Sequence, residues 1–146
     1  MNHPIETRER FPWLFEVATR WADNDVYGHV NNAAYYSFFD TAVNRFLIDH
    51  GVLDVTGSEA IGVVVETGCS YRKSIAFPDL LDVGVRVARI GNSSVRYELA
   101  IFRRGDPEAV ATGHFVHVYV DRKSREPVTV PQAVRAALAP LVVSAS

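Results

Sequence analysis

The run from Asn32 to Asp49 constrains the fold more than any other part of the chain, because its apolar residues cover too much of a helix to lie on a surface. Tyr35, Phe39, Ala42, Val43, Phe46 and Leu47 fall at offsets 0, 4, 7, 8, 11 and 12, the spacing of one broad helical stripe. Ala33, Ala34, Tyr36 and Phe38 add apolar surface around the first turns. A helix is therefore predicted over 32–49, stopped by His50-Gly51. Other elements must wrap it.

The wrapping material is strand-like. Leu14 to Trp21 reads as a first strand, with Phe15, Val17, Thr19 and Trp21 on one side and Glu16 and Arg20 among those opposite. Four more runs follow, roughly Ile61 to Tyr71, Leu80 to Ile90, Ser93 to Phe102 and Val110 to Val120. Val83, Val85 and Val87 share a face in one run, Val95, Tyr97, Leu99 and Ile101 in the next, and Val116, Val118 and Val120 in the last. Gly91-Asn92, Gly105-Asp106-Pro107 and Asp121 to Ser124 carry turn chemistry, so an antiparallel meander is expected. Pro131 to Leu141 reads as a short terminal helix. The sum is an α+β fold, a five- to six-stranded antiparallel sheet around one long central helix. With no repeat or linker, residues 1–146 read as one domain.

Charge and composition narrow the function classes. A net charge of −2, with basic residues scattered in pairs such as Arg72-Lys73 and Arg103-Arg104, gives no pull toward nucleic acid. No apolar run reaches the ~20 residues needed to span a bilayer, and the first ten residues lack a signal-peptide core. A single cysteine, Cys69, suits a reducing compartment, so a cytoplasmic location is the expectation.

Trp21 to Asn32, WADNDVYGHVNN, concentrates the chemistry. Asp25 lies seven residues before Asn32, so its carboxylate can fold back beside the unpaired N–H groups of the helix N-terminus. Gly28 suits a tight turn between them. Asp25 also fits a capping role; the neighbouring glycine and helix start favour a reaction site. Asp23 reads as loop support.

This motif carries a family resemblance. Asp25-Val26-Tyr27-Gly28, continued by His29-Val30-Asn31-Asn32 and by Tyr35 and Tyr36, resembles the hotdog-fold acyl-CoA thioesterases of the 4-hydroxybenzoyl-CoA thioesterase-like family. Tyr71 to Leu81 is similar to the family's segment leading into a central strand, and the likeness runs from Phe15 through the Pro131 region. It implies thioester hydrolysis, with coenzyme A as part of the substrate and no separate cofactor. Asp25 would deprotonate a water or attack directly to give a mixed anhydride. The Asn32 N–H would stabilise the oxyanion, with the Gly28 region as helper. His29 either polarises the carbonyl, positions Asp25 or bonds within the loop.

The resemblance also implies a homodimer with its site between protomers, with a tetramer of two dimers as a further expectation; joined sheet edges satisfy otherwise unpaired strands. Arg72, Lys73 and Arg89 are candidates for the coenzyme A phosphates. Ser93 and Ser94 stand where some members place a nucleotide contact, but Ile90-Gly91-Asn92 replaces the basic cluster there. Arg89, Ser93 and Ser94 read equally well as a solvated strand end. Tyr35, Tyr36 and Phe39 read as core, or as lining for an acyl pocket.

Other sites are disfavoured. His114 and His117 are three apart on a strand and should face opposite ways, a poor metal pair, and no metal is assigned. Cys69, in an apolar strand, reads as packing. No Gly-x-Ser-x-Gly elbow and no phosphate loop occur. Two rival functions stand beside hydrolysis: a hotdog hydratase or dehydratase using Asp25 and His29, and a noncatalytic acyl-CoA or acyl-carrier binding module.

Overall fold

The computed structural model describes residues 4–143. Five strands form one antiparallel sheet: β1 (Trp13–Ala18), β2 (Ala60–Tyr71), β3 (Leu80–Ile90), β4 (Ser94–Arg103) and β5 (Ala111–Asp121), in the order β1-β3-β4-β5-β2. The long helix α1 spans Asn32–Asp49, as its periodicity predicts, and a short helix α2 spans Gln132–Leu138. This is the hotdog arrangement, with the sheet curled around α1. None of the described helices is long and apolar enough to cross a membrane.

Alternation assigns one sheet face to the helix. Val83, Val85 and Val87 of β3, Val95, Tyr97, Leu99 and Ile101 of β4, and Phe115 and Tyr119 of β5 join Phe39, Ala42, Val43, Phe46 and Leu47 of α1 in one core. Phe39 meets Phe115 edge to face at 6.1 Å between ring centres, and Trp13 meets Phe46 likewise at 5.2 Å. Gly113 permits the closest approach: a Cβ there would lie 2.5 Å from the Phe39 ring and 2.7 Å from the Gly68 carbonyl oxygen. Helix and sheet could not close over a larger residue.

Val116, Val118 and Val120 share a face of β5 as expected; it is the face away from α1, because Phe115 and Tyr119 take the helix-facing positions. Two expectations need correction. β1 ends at Ala18 rather than Trp21: Thr19 donates both its N–H (3.2 Å) and its hydroxyl (2.6 Å) to the Asp79 carbonyl, and Trp21–Asp23 forms a 3₁₀ turn. Trp21 is consequently exposed. β2 does not continue a meander into β3. It pairs with β5 at the far edge, Tyr71 opposite Ala111 and Ala60 opposite Asp121, and residues 72–79 cross back to start β3.

The opposite face is partly strapped. Phe11 packs on Gly84, Ala100 and Phe102, and the Arg86 guanidinium lies 4.4 Å over the Phe11 ring while pairing with Glu6 and Glu98. His114 faces that side, 2.9 Å from Glu66, whereas His117 is buried against Tyr97 and Phe115 on the helix side. The two histidines thus face opposite ways.

Candidate active site

The loop before α1 is held by its backbone. Asp23 is its post: the buried carboxylate accepts the Arg20 N–H at 2.7 Å and pairs with the Arg20 guanidinium at 2.8 Å, and its carbonyl accepts the Asn31 N–H at 2.8 Å. Asp23 therefore supports the loop. Beyond it the chain folds into a small turn, with the Asp25 N–H donating to the His29 carbonyl (2.9 Å) and the Gly28 N–H to the Asp25 carbonyl (3.1 Å). Gly28 sits at φ +82°, a left-handed conformation that costs a side-chain-bearing residue energy.

The crossing segment 72–79 fixes this turn from the other side. The Val30 N–H donates to the Ile75 carbonyl at 2.8 Å, and the Phe77 N–H donates to the Asn24 side-chain oxygen at 3.0 Å. Ile75 itself is buried in the core. The loop, the helix start and the entry to β3 are one hydrogen-bonded unit.

The first turn of α1 is almost fully satisfied. The Asn31 side chain accepts the Ala33 N–H at 2.9 Å, and the Asn31 carbonyl accepts the Ala34 N–H at 2.9 Å. Among the described residues the Asn32 N–H has no acceptor. Asn32 stands at the positive end of the helix dipole and lines an open hollow of about 840 Å³ together with Trp21, Asn24, Asp25, Val26, Tyr27, Gly28 and Asn31.

Asp25 shares that hollow in a defined pose. One carboxylate oxygen accepts the Tyr27 N–H at 2.9 Å, which fixes the side chain; the other accepts no hydrogen bond among the described residues. Asp25 and the Asn32 donor are thus brought together. Gly28 is present as the turn residue, but its N–H is committed to Asp25 and is not a spare donor. The His29 side chain is exposed and lies outside the hollow's lining, because its carbonyl, not its ring, closes the turn.

A second, smaller hollow of about 290 Å³ adjoins the first through Asn32 and is lined by Asn32, Tyr35, Tyr71, Arg72, Lys73 and Ser74. Arg72 and Lys73 are therefore near the site, although Arg72 reaches Glu108 at 3.4 Å and Lys73 reaches Asp106 at 3.9 Å. Tyr35 is buried, with its phenol pushed to higher pKa by desolvation, and Tyr36 is half-buried. Phe39 is core. Burial pushes the Cys69 thiol up to about 11, which keeps it a neutral packing group.

Arg89, Ser93 and Ser94 are not brought to this end within one chain. β3 starts beside the loop at Leu80, and Arg89 lies at its opposite end, where the turn to β4 places Ser93 and Ser94. The antiparallel register separates them from Asp25 by the length of the strand. Asn24, Tyr71 and Ile75 were not singled out from the sequence, because their roles depend on where the crossing segment runs.

The comparisons agree with this architecture. The crystal structure of the PA5185 protein from Pseudomonas aeruginosa strain PAO1 is 55% identical, with a TM-score of 0.95 over 98% of this chain and 100% of that one. The PA2801 protein from Pseudomonas aeruginosa is 29% identical, with a TM-score of 0.81 over 87% of this chain and 98% of that one. Slr0204, a 1,4-dihydroxy-2-naphthoyl-CoA thioesterase from Synechocystis, shares the fold at 16% identity and a TM-score of 0.79, over 86% and 94% of the two chains. A family model for the thioesterase-like superfamily matches residues 19–138, which takes in the loop, α1 and the whole of β2 to β5. With most of its length matched in that way, this chain belongs to the thioesterase-like superfamily.

Proposed function

We propose that this protein is an acyl-CoA thioesterase, with Asp25 as base or nucleophile and the Asn32 N–H as oxyanion donor. The observation that carries the reading is the pairing, in one hollow, of a helix-terminal N–H without an acceptor and a carboxylate with one free oxygen. Membership of the superfamily and the activity of the Synechocystis relative support the same reaction class.

In the general-base route, Asp25 takes a proton from water as the water oxygen bonds to the thioester carbon. The carbonyl electron pair moves to oxygen, where the Asn32 N–H and the helix dipole meet it. Collapse re-forms the carbonyl and breaks the C–S bond, and the pair leaves with the thiolate. In the nucleophilic route the Asp25 carboxylate makes that bond first, and water then opens the mixed anhydride. A thiolate leaves readily, so neither route demands a strong acid. Hydration of an acyl double bond would want a histidine at the site, and the exposed His29 ring is outside the hollow.

The reading includes a homodimer joined through β2. That strand is a twelve-residue sheet edge with exposed Val64 and Val65. A two-fold axis that pairs β2 antiparallel with its own copy would bring the second chain's Arg89, Ser93 and Ser94 to the end of the sheet that holds Asp25. That makes them candidates for coenzyme A contacts from across the seam.

A panel of aromatic, medium-chain and long-chain acyl-CoA thioesters, followed by free-thiol detection, tests the proposal. Turnover of at least one class is expected. Saturable binding of the panel with every thioester intact after prolonged incubation would replace it with a binding module.

A further inference from the structure

Tyr71 ends β2 and reaches back across the chain to the helix start: its hydroxyl donates to the Asn32 carbonyl oxygen at 2.9 Å. Its ring meets Tyr35, one turn along α1, edge to face at 4.8 Å. The same hydroxyl neighbours the Tyr36 phenol and the Cys69 thiol, and burial with these neighbours pushes its pKa up, so it stays protonated and able to donate. β2 thus grips the first turn of α1 twice, once by a polar bond and once by a ring.

The placement of that bond matters. Asn32 N–H and Asn32 C=O flank one α-carbon, so a fixed carbonyl limits the rotation that would re-aim the N–H. On the loop side the aim is set by the bonds from Asn31 N–H to Asp23 and from Val30 N–H to Ile75. On the sheet side, Tyr71 makes the hydrogen bond from β2 to Asn32. Without it, the donor would be anchored from one direction.

We infer that Tyr71 is a positioning residue for thioester hydrolysis, its hydroxyl holding the Asn32 peptide so that the adjacent N–H meets the developing oxyanion. The inference rests on the proposed thioesterase reading. It also gives the sheet edge a part in the chemistry, since Tyr71 belongs to the strand through which a second copy would pair. A donor displaced by a fraction of an ångström loses much of its transition-state value while ground-state binding barely changes.

Tyr71→Phe removes the hydroxyl and keeps the ring on Tyr35. For the full-length protein and its best thioester, kcat is expected to fall about tenfold, the scale of one misplaced hydrogen bond, with KM within about twofold of wild type. The melting temperature and oligomer size should be unchanged. Asp25→Asn, run in parallel, reports on the underlying reading: if it abolishes turnover while Tyr71→Phe keeps wild-type kcat, the positioning role is overturned and the thioesterase stands. A Tyr71→Phe loss seen in KM or melting temperature with kcat intact also overturns it, as that is a structural role. An Asp25→Asn variant with native turnover removes the catalytic assignment, and a kcat loss confined to Tyr71→Phe would then have to arise elsewhere, overturning the positioning role with it.

Discussion

The core under α1 and the loop that precedes it are one helical turn apart, yet different forces hold them. In the core, Phe39, Ala42 and Val43 are wholly buried and are fixed by area removed from water. In the loop, Val26 is 93% and Tyr27 83% exposed, and position is set by backbone bonds to Asp23, His29 and Ile75. Apolar packing satisfies its members equally and leaves nothing pointing outward. A hydrogen-bonded frame can leave donors open, and among the described residues Asn32 N–H, at the hollow that Asp25 also lines, has no acceptor. The open donor thus belongs to a hydrogen-bonded frame, beside a helix that is seated by apolar packing.

If that contrast holds, the largest effect should come from the core. Phe39→Ala, which empties the space between α1 and Gly113, is expected to destabilise the protein by about 3–5 kcal/mol in urea unfolding. A loss near 1 kcal/mol would mean that the helix is not seated by packing.

The next effect tests a polar flaw in that core. His117 is buried, neither ring nitrogen has a partner among the described residues, and desolvation lowers its pKa to about 4 despite the charge of Asp40. The unfolded chain, at the ordinary value of 6.5, takes a proton that the folded chain refuses. Stability is therefore untouched above about pH 6.5 and falls between about 6.5 and 4, by roughly 3 kcal/mol in all. Unfolding curves across that range should slope less for His117→Phe than for wild type. Identical slopes would place the acid sensitivity elsewhere.

Asp25→Asn belongs to the loop and should separate activity from stability. The amide oxygen can still accept the Tyr27 N–H, so the turn persists, while thioester turnover should drop at least about a hundredfold. The smallest effect is expected at the exposed tip, where Val26→Ser should shift unfolding free energy by less than about 0.5 kcal/mol. A cooperative loss of stability there would show that the tip is packed against something in solution, and a second copy is the first candidate.

What the sequence made legible divides along the same line. The bounds of α1 could be read because helical spacing and the His50-Gly51 stop are local signals. β3 matched residue for residue, and β4 and β5 to within one, for the same reason. Strand order was not legible: β2 has the pattern of a meander strand, and only pairing with β5, some fifty residues away, shows that the chain crosses instead. That crossing carries the Ile75 carbonyl and brings Tyr71 to the helix start, so both were invisible in the spacing. Asp25 and Asn32 stood out because the turn between them is encoded within eight residues. Of the roles open to His29, the contact seen is made by its backbone: the carbonyl closes the turn, and the ring lies outside the hollow's lining.

The crossing has a consequence for where this chain tolerates a break. Opening the backbone between residues 72 and 79 would cut the loop, the helix start and β3 loose from one another, although few buried side chains lie there. Opening it at the exposed Lys123-Ser124 turn after β5, at the end of the sheet opposite Leu80, would leave every bond of that hydrogen-bonded unit in place. New termini, inserted peptides and fused partners therefore belong at the second position, and a circular permutant opened there should retain its chemistry.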